Sequence, residues 1–204
     1  MSAGLFKRSL AFLIDGFIYL SLTFWIFSFI AAPIYQRQYE DFEMHWNVYD
    51  EVMDKVDEDM KEHEERYENN EITYAQLLEK RAEIFDGYYQ DPQFTESIDI
   101  ALGFRDYTLF SSFSIYVLVS YLSILILKGQ TIGRRLLKLR LIGEVNWLSL
   151  LLREVVWKYI FWVITLGLGF LIDILMIFLS NNNSALRDRL SKTRVVLDDV
   201  TYPF

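Results

Sequence analysis

The sequence predicts an all-α integral membrane helical bundle of three to four membrane segments, with an inserted extracytoplasmic acidic helical hairpin and a candidate short cytoplasmic β-pair. Three observations lead there. Two apolar stretches of the 204-residue chain are long enough to cross a bilayer, a third is apolar but interrupted, and the acidic residues gather between the first two. The expected units are residues 1–34, the first membrane helix; 35–104, the acidic hairpin; and 105–204, the remaining membrane segments with a cytoplasmic tail.

The first element runs from Lys7 to Pro33. No residue from Gly16 to Ile34 is charged, and at 1.5 Å rise per residue that length approaches the roughly 30 Å hydrocarbon core of a bilayer. Arg8 stands at its start and Asp15 within it, two helical turns apart and on nearly one face. A carboxylate at that depth is costly unless it is protonated, paired or facing water. Asp15 is therefore either an ion-handling group or a polar contact between helices, and such contacts average only about 0.6 kcal/mol. Basic residues ahead of an apolar run resemble a signal peptide, but the run is too long and has no small-x-small site before Pro33, so it is expected to be retained.

Composition narrows the rest. The chain is 52% hydrophobic and 17% aromatic with a net charge of −8, which excludes a basic nucleic-acid binder. It has no cysteine, which excludes disulfides, thiolate catalysis and cysteine-based zinc or iron–sulfur sites. From Tyr35 to Asp106 there are 21 acidic and 7 basic residues; of the chain's 28 acidic and 20 basic residues this leaves 7 and 13, so the two parts carry −14 and +6.

Within the acidic part, Phe42, Trp46, Tyr49, Met53, Val56, Met60, His63 and Tyr67 alternate spacings of four and three, the mark of a helix laying a seam on a partner helix. Asn69 and Asn70 break it. Thr73 and Gln76 form a capping box, with Ile72 and Leu77 as its staple, and a second seam runs through Tyr74, Leu78, Arg81, Phe85 and Tyr88 to Gly87 and Asp91-Pro92. The seams predict an antiparallel hairpin, its aromatic residues either packing the two helices or meeting another copy or a partner protein through 36–90. His63 lies among Glu58, Asp59, Glu62 and Glu64, a charge run that reads as a solvated helix face rather than a metal site.

The chain re-enters the membrane after Asp106. Tyr107 to Leu127 is uncharged, and Thr108, Ser112, Tyr116, Ser120 and Ser123 fall along one face, a stripe that either packs helices or answers Asp15. Lys128 to Arg140 carries five basic residues and no acidic one, as cytoplasmic loops do; the amino terminus and this loop are therefore expected in the cytoplasm and 35–104 outside it.

From Leu148 to Ser180 the apolar run holds Arg153, Glu154, Lys158 and Asp173 and breaks at Gly167-Leu168-Gly169. It is either one bent span or a hairpin. The basic residues after it, and the strand-like runs Lys138 to Ile142 and Thr193 to Leu197 on either side, favour a hairpin with arms Leu150 to Thr165 and Phe170 to Ser180 that returns the chain to the cytoplasm. The glycine break is then a place for a site. Asp173 becomes a second buried acid, either near Asp15, where two carboxylates suit proton or cation exchange, or paired with Arg153 or Lys158.

Four segments in order, KRSLAFLIDGFIY with Arg8 and Asp15, KGQTIGRRLLKLRLI, LSLLLREVV and ALRDRLSKTRVVL, resemble the RDD family, named for an arginine and two aspartates. Arg8, Asp15 and Asp188 match the naming positions. The resemblance covers about Leu5 to Pro33 and Arg105 to Leu197, and it implies a small bacterial multi-pass membrane protein of the cell membrane for which transport, including cation/proton antiport, has been suggested. Many members have a histidine where this chain has Arg187, and the acidic segment is not part of the usual short domain. Asp188, between Arg187 and Arg189, reads as an anchor for the carboxy-terminal turn against the Gly129 to Arg135 loop.

No nucleophile–base pair, phosphate loop or metal-protease motif is present, so neither an enzyme nor a bound cofactor is expected. Two function classes remain. One is transport of protons, cations or another small solute through a polar network drawn from Arg8, Asp15, Arg153, Asp173 and Asp188. The other is an accessory or assembly subunit anchored in the lipid bilayer that docks a partner through the acidic hairpin.

Overall fold

A computed structural model describes residues 4–161, 164–165, 168–180 and 184–198. Helix α1 spans Leu5–Ile26 and passes through a widened π turn, Phe27–Ala31, into α2, Ala32–Gln36. Pro33 accounts for the widening, because its ring clashes with the carbonyl four residues back and it has no N–H to donate. Next come α3, Phe42–Glu68; α4, Tyr74–Tyr89; α5, Pro92–Ile126; α6, Ile132–Leu136; and strand β1, Leu139–Gly143. Helix α7, Trp147–Leu150, continues as a π segment, Leu151–Phe161. Then follow α8, Leu168–Leu179; α9, Leu186–Leu190; and β2, Thr193–Leu197. Among the described residues the regular elements are helical apart from one antiparallel pair, β1 with β2, in a register that runs from Leu139 opposite Leu197 to Gly143 opposite Thr193.

Two helical stretches, Leu5–Gln36 and Pro92–Ile126, are long and apolar enough to cross a membrane. The chain divides into two compact units, one of residues 1–27 and 112–204, the other of 28–111.

The first unit is polar inside and apolar outside. On α1 the buried positions are Arg8, Ala11, Asp15, Tyr19 and Thr23, one face at helical spacing. Phe6 and Phe17 on the other faces are 80% and 74% exposed, as are Ile126 of α5 and Leu179 of α8 at 76% and 79%. That pattern costs heavily in water and suits a bilayer, where apolar side chains meet lipid and polar groups must be satisfied internally. The apolar core is small: Ala11, Ile124, Leu139, Leu141, Leu150 and Val195.

The second unit has a conventional core of Val52, Val56 and Met60 from α3 with Phe94 and Ile98 from α5, flanked by Leu77, Ile84, Phe85 and Tyr88 of α4. The seams read from the sequence are displaced. Val52 rather than Met53 is fully buried, and Tyr67, Tyr74 and Leu78 are exposed. Because α3 packs on α4 and α5 together, its buried line is Val52, Val56, Met60, a spacing of four rather than an alternation of four and three. The capping box forms: the Thr73 hydroxyl accepts from Gln76 N–H, and the Gln76 side chain accepts from Thr73 N–H at 2.9 Å. Helix α5 starts well before the expected re-entry at Asp106. Pro92 opens it, and the Asp91 carboxylate accepts from Gln93 N–H at 2.9 Å, so the proline read as a terminator also initiates.

Candidate functional site

Helix α1 supplies Arg8 and Asp15 on one buried face, and they go to different partners. Asp15 reaches the start of α6. Thr131 is the residue before that helix, and its hydroxyl accepts from Arg134 N–H at 3.2 Å while donating to Asp15 Oδ2 at 2.5 Å. Gly133 N–H, one of the helix-start amides without an intrahelical acceptor, donates to Asp15 Oδ1 at 2.8 Å. This contact needs glycine: a Cβ at 133 would run into the Ala11 carbonyl oxygen. The hydroxyl stripe of α5 therefore does not answer Asp15. Two of its members meet tyrosines instead, Ser123 with Tyr19 at 2.5 Å and Ser120 with Tyr159 at 2.8 Å, and Thr108 donates to the Phe104 carbonyl at 2.7 Å.

Arg8 reaches α9. Its Nη1 donates to Asp188 Oδ2 at 2.7 Å and its Nη2 to the Val195 carbonyl of β2 at 3.1 Å. Asp188 Oδ1 accepts from Arg153 Nη1 at 2.5 Å, and its Oδ2 accepts from Ala185 N–H at 3.1 Å. Asp188 thus caps its own helix and pairs with two arginines, rather than anchoring against the Gly129 to Arg135 loop. Burial alone would push this carboxyl up, but the guanidinium charges of Arg153, Arg8 and Arg187 outweigh it and hold Asp188 well below the usual carboxylate range.

The π segment extends the network. Its i→i+5 turns are wider than those of an α-helix, and Arg153, Glu154, Trp157, Lys158 and Tyr159 are all buried on it. Arg153 donates to Thr193 Oγ1 at 2.7 Å and to Glu154 Oε1 at 3.1 Å. Glu154 also accepts from Arg134 Nη2 at 2.5 Å, and Arg134 Nη1 donates to the Gly129 carbonyl at 3.0 Å. Lys158 Nζ lies over the ring of Phe12, 4.7 Å from its centroid, and 5.5 Å from that of Tyr159.

Asp173 of α8 accepts from Trp157 Nε1 at 3.1 Å and faces Arg187 Nε at 3.4 Å. Its ion pair is with Arg187, not with Arg153 or Lys158. Among the described residues Asp15 and Asp173 have different partners, Thr131 and Gly133 for the first and Trp157 and Arg187 for the second. Arg8, Arg153 and Asp188 are brought together, whereas Asp15 joins the same cavity through α6.

That cavity, of about 30 Å³, is lined by Arg8, Asp15, Arg134, Arg153, Glu154, Lys158 and Arg187 among others. Neither Leu168 nor Gly169 of the glycine break lines it; Gly169 N–H is bound by Thr165 Oγ1 at 2.9 Å, and Gly167 lies outside the described residues. Among the described residues no group of three or more histidine, aspartate or glutamate side chains is placed to hold a metal ion. The sequence reading missed Thr131, Gly133, Arg134 and Glu154 as members of the site. The signal was present in Thr131-Ile132-Gly133-Arg134, a capping residue followed by a glycine, but the basic run around it reads first as a topology marker.

Compared with known proteins, the chain matches the RDD family model over residues 2–192. No curated protein and no solved structure matches it.

Proposed function

The chain belongs to the RDD family, and on that premise we propose that this membrane protein exchanges protons or small cations through Asp15. One observation carries the reading. The network has four buried carboxylates, Asp15, Glu154, Asp173 and Asp188. Glu154, Asp173 and Asp188 each face an arginine, whereas Asp15 is held by two neutral donors, Thr131 and Gly133, with no ion pair among the described residues. An acid held by neutral donors in a cavity can take and release a proton without breaking a salt bridge.

The reading requires a multi-pass topology in the cell membrane, with the amino terminus and β-pair cytoplasmic and 35–104 outside. The β1–β2 pairing supports it, because strands before and after the third apolar region pair only on one side of a membrane. So does the Arg8–Val195 contact, which ties the start of α1 to β2.

The test is flux in reconstituted vesicles under an imposed pH gradient. Asp15→Asn, which keeps a carbonyl to accept from Gly133, should abolish ion-coupled flux while the protein stays folded. Equal flux from wild type and variant refutes the reading.

The accessory reading rests on a different observation. The second unit has its own core and carries most of the acidic charge. Under that reading, deleting 36–90 ends co-purification with a partner and leaves membrane insertion intact; a deleted protein that keeps every partner removes it.

A further inference from the structure

We propose that the 30 Å³ cavity is a binding site for one small monovalent anion of halide size. Its lining carries five cationic side chains, Arg8, Arg134, Arg153, Lys158 and Arg187, against two carboxylates, Asp15 and Glu154. The other two carboxylates of the network offset this only in part: Asp188 pairs with Arg8 and Arg153, and Asp173 with Arg187. Of the five, Arg8, Arg134, Arg153 and Lys158 are buried and Arg187 is only half-buried, and Lys158 is the one that makes no ion pair among the described residues. The buried charges balance when Asp15 is ionised; when Asp15 is neutral the Lys158 ammonium lacks a counter-charge in a low-dielectric interior, and a single bound anion supplies it.

Two donors are available to it. Arg153 is 1% exposed, and its Nη2 is buried with no hydrogen-bond partner among the described residues, although its Nε and Nη1 are fully engaged. Lys158, 8% exposed, offers its ammonium only to the faces of Phe12 and Tyr159 and makes no ion pair among the described residues. The cavity is about twice the ~10–15 Å³ that one water-sized sphere needs. It therefore admits a halide. Asp15 is the like charge in the same cavity, so its charge state sets how tightly the anion is held.

The site stands whether or not Asp15 carries protons in a transport cycle, because it is measured as binding rather than flux. The purified protein in detergent is melted in increasing chloride at constant ionic strength, with gluconate as the replacement ion, and bromide is located by anomalous diffraction. The expected result is a saturable rise in melting temperature with chloride and bromide but not gluconate, with bromide in the cavity. Lys158→Met, which keeps an apolar side chain against the two rings, should weaken chloride at least tenfold, and Asp15→Asn should tighten it. Melting curves that coincide in chloride and gluconate overturn the proposal, as does bromide found only outside the cavity. A Lys158→Met protein that melts cooperatively with the wild-type chloride dependence also overturns it.

Discussion

Asp188→Asn isolates what the charge network contributes to folding. The substitution keeps the size of the side chain and one acceptor but removes the charge that faces Arg8 at 2.7 Å and Arg153 at 2.5 Å. All three residues are buried, Asp188 at 2% exposure. Removing one partner of a buried pair leaves the other uncompensated and costs roughly 3–5 kcal/mol. Here two guanidinium groups lose the same counter-charge, so the upper half of that range is expected. Against a total of about 5–15 kcal/mol for a typical domain, the variant should be marginal. The assay is reversible unfolding in mixed micelles, repeated with Arg8→Met and with both substitutions together. The double variant should recover part of the loss, because the unpaired guanidinium is gone with the carboxylate. A loss below about 1 kcal/mol, or strict additivity of the two single variants, refutes the view of Asp188 as a counter-charge. The pH dependence has a definite sign. The native carboxyl titrates below its unfolded value of about 3.9, so its stabilisation is complete above that value and declines as pH falls through the lower native one.

Three further outcomes are expected. Gly133→Ala places a methyl group against the Ala11 carbonyl and should destabilise the first unit by about 1–3 kcal/mol, read from the same micelle titration. Met60→Ala empties a position that is 1% exposed in the core of the second unit and should cost roughly 2–5 kcal/mol, seen as loss of amide protection in α3 and α4 by hydrogen exchange. Single cysteines at Asn69, Arg135 and Lys192 in this cysteine-free chain should label with an impermeant reagent in intact cells only at Asn69; labelling at Lys192 shows that the third apolar region crosses once.

The parts of this fold that depend on local chemistry were legible. A charge-free run of bilayer length is a helix wherever it goes, and the Thr73–Gln76 box fixes its helix start by two hydrogen bonds that lie within four residues. The strands were legible as short runs that alternate apolar and polar residues or are rich in valine, and they pair over Leu139–Gly143, one residue on from the expected Lys138 to Ile142, and Thr193–Leu197. The site was half legible. That Asp15, Arg153 and Asp173 are buried follows from charges in apolar surroundings; that Asp188, between two arginines in a basic segment, is buried too, and which cation meets which carboxylate, depends on contacts between distant elements. Arg134 shows the difficulty. It sits in a run of basic residues whose neighbour Arg135 is exposed, and only the short α6 turns Arg134 inward to Glu154. The seam of α3 shifted for a related reason: a heptad describes one partner helix, and this helix has two.

The Arg8–Asp188 bond joins residues 180 positions apart, and this has a consequence for the order of events during synthesis. Helix α1 leaves the ribosome long before α9 exists, so Arg8 first meets the membrane without its counter-ion and must hold its guanidinium toward the headgroup region. Only when Asp188 and the Val195 carbonyl arrive can it form the two contacts that bury it in the folded protein. The charge network is thus a latch that closes last. Chains arrested before it closes would have an Arg8 that has met neither Asp188 nor the Val195 carbonyl.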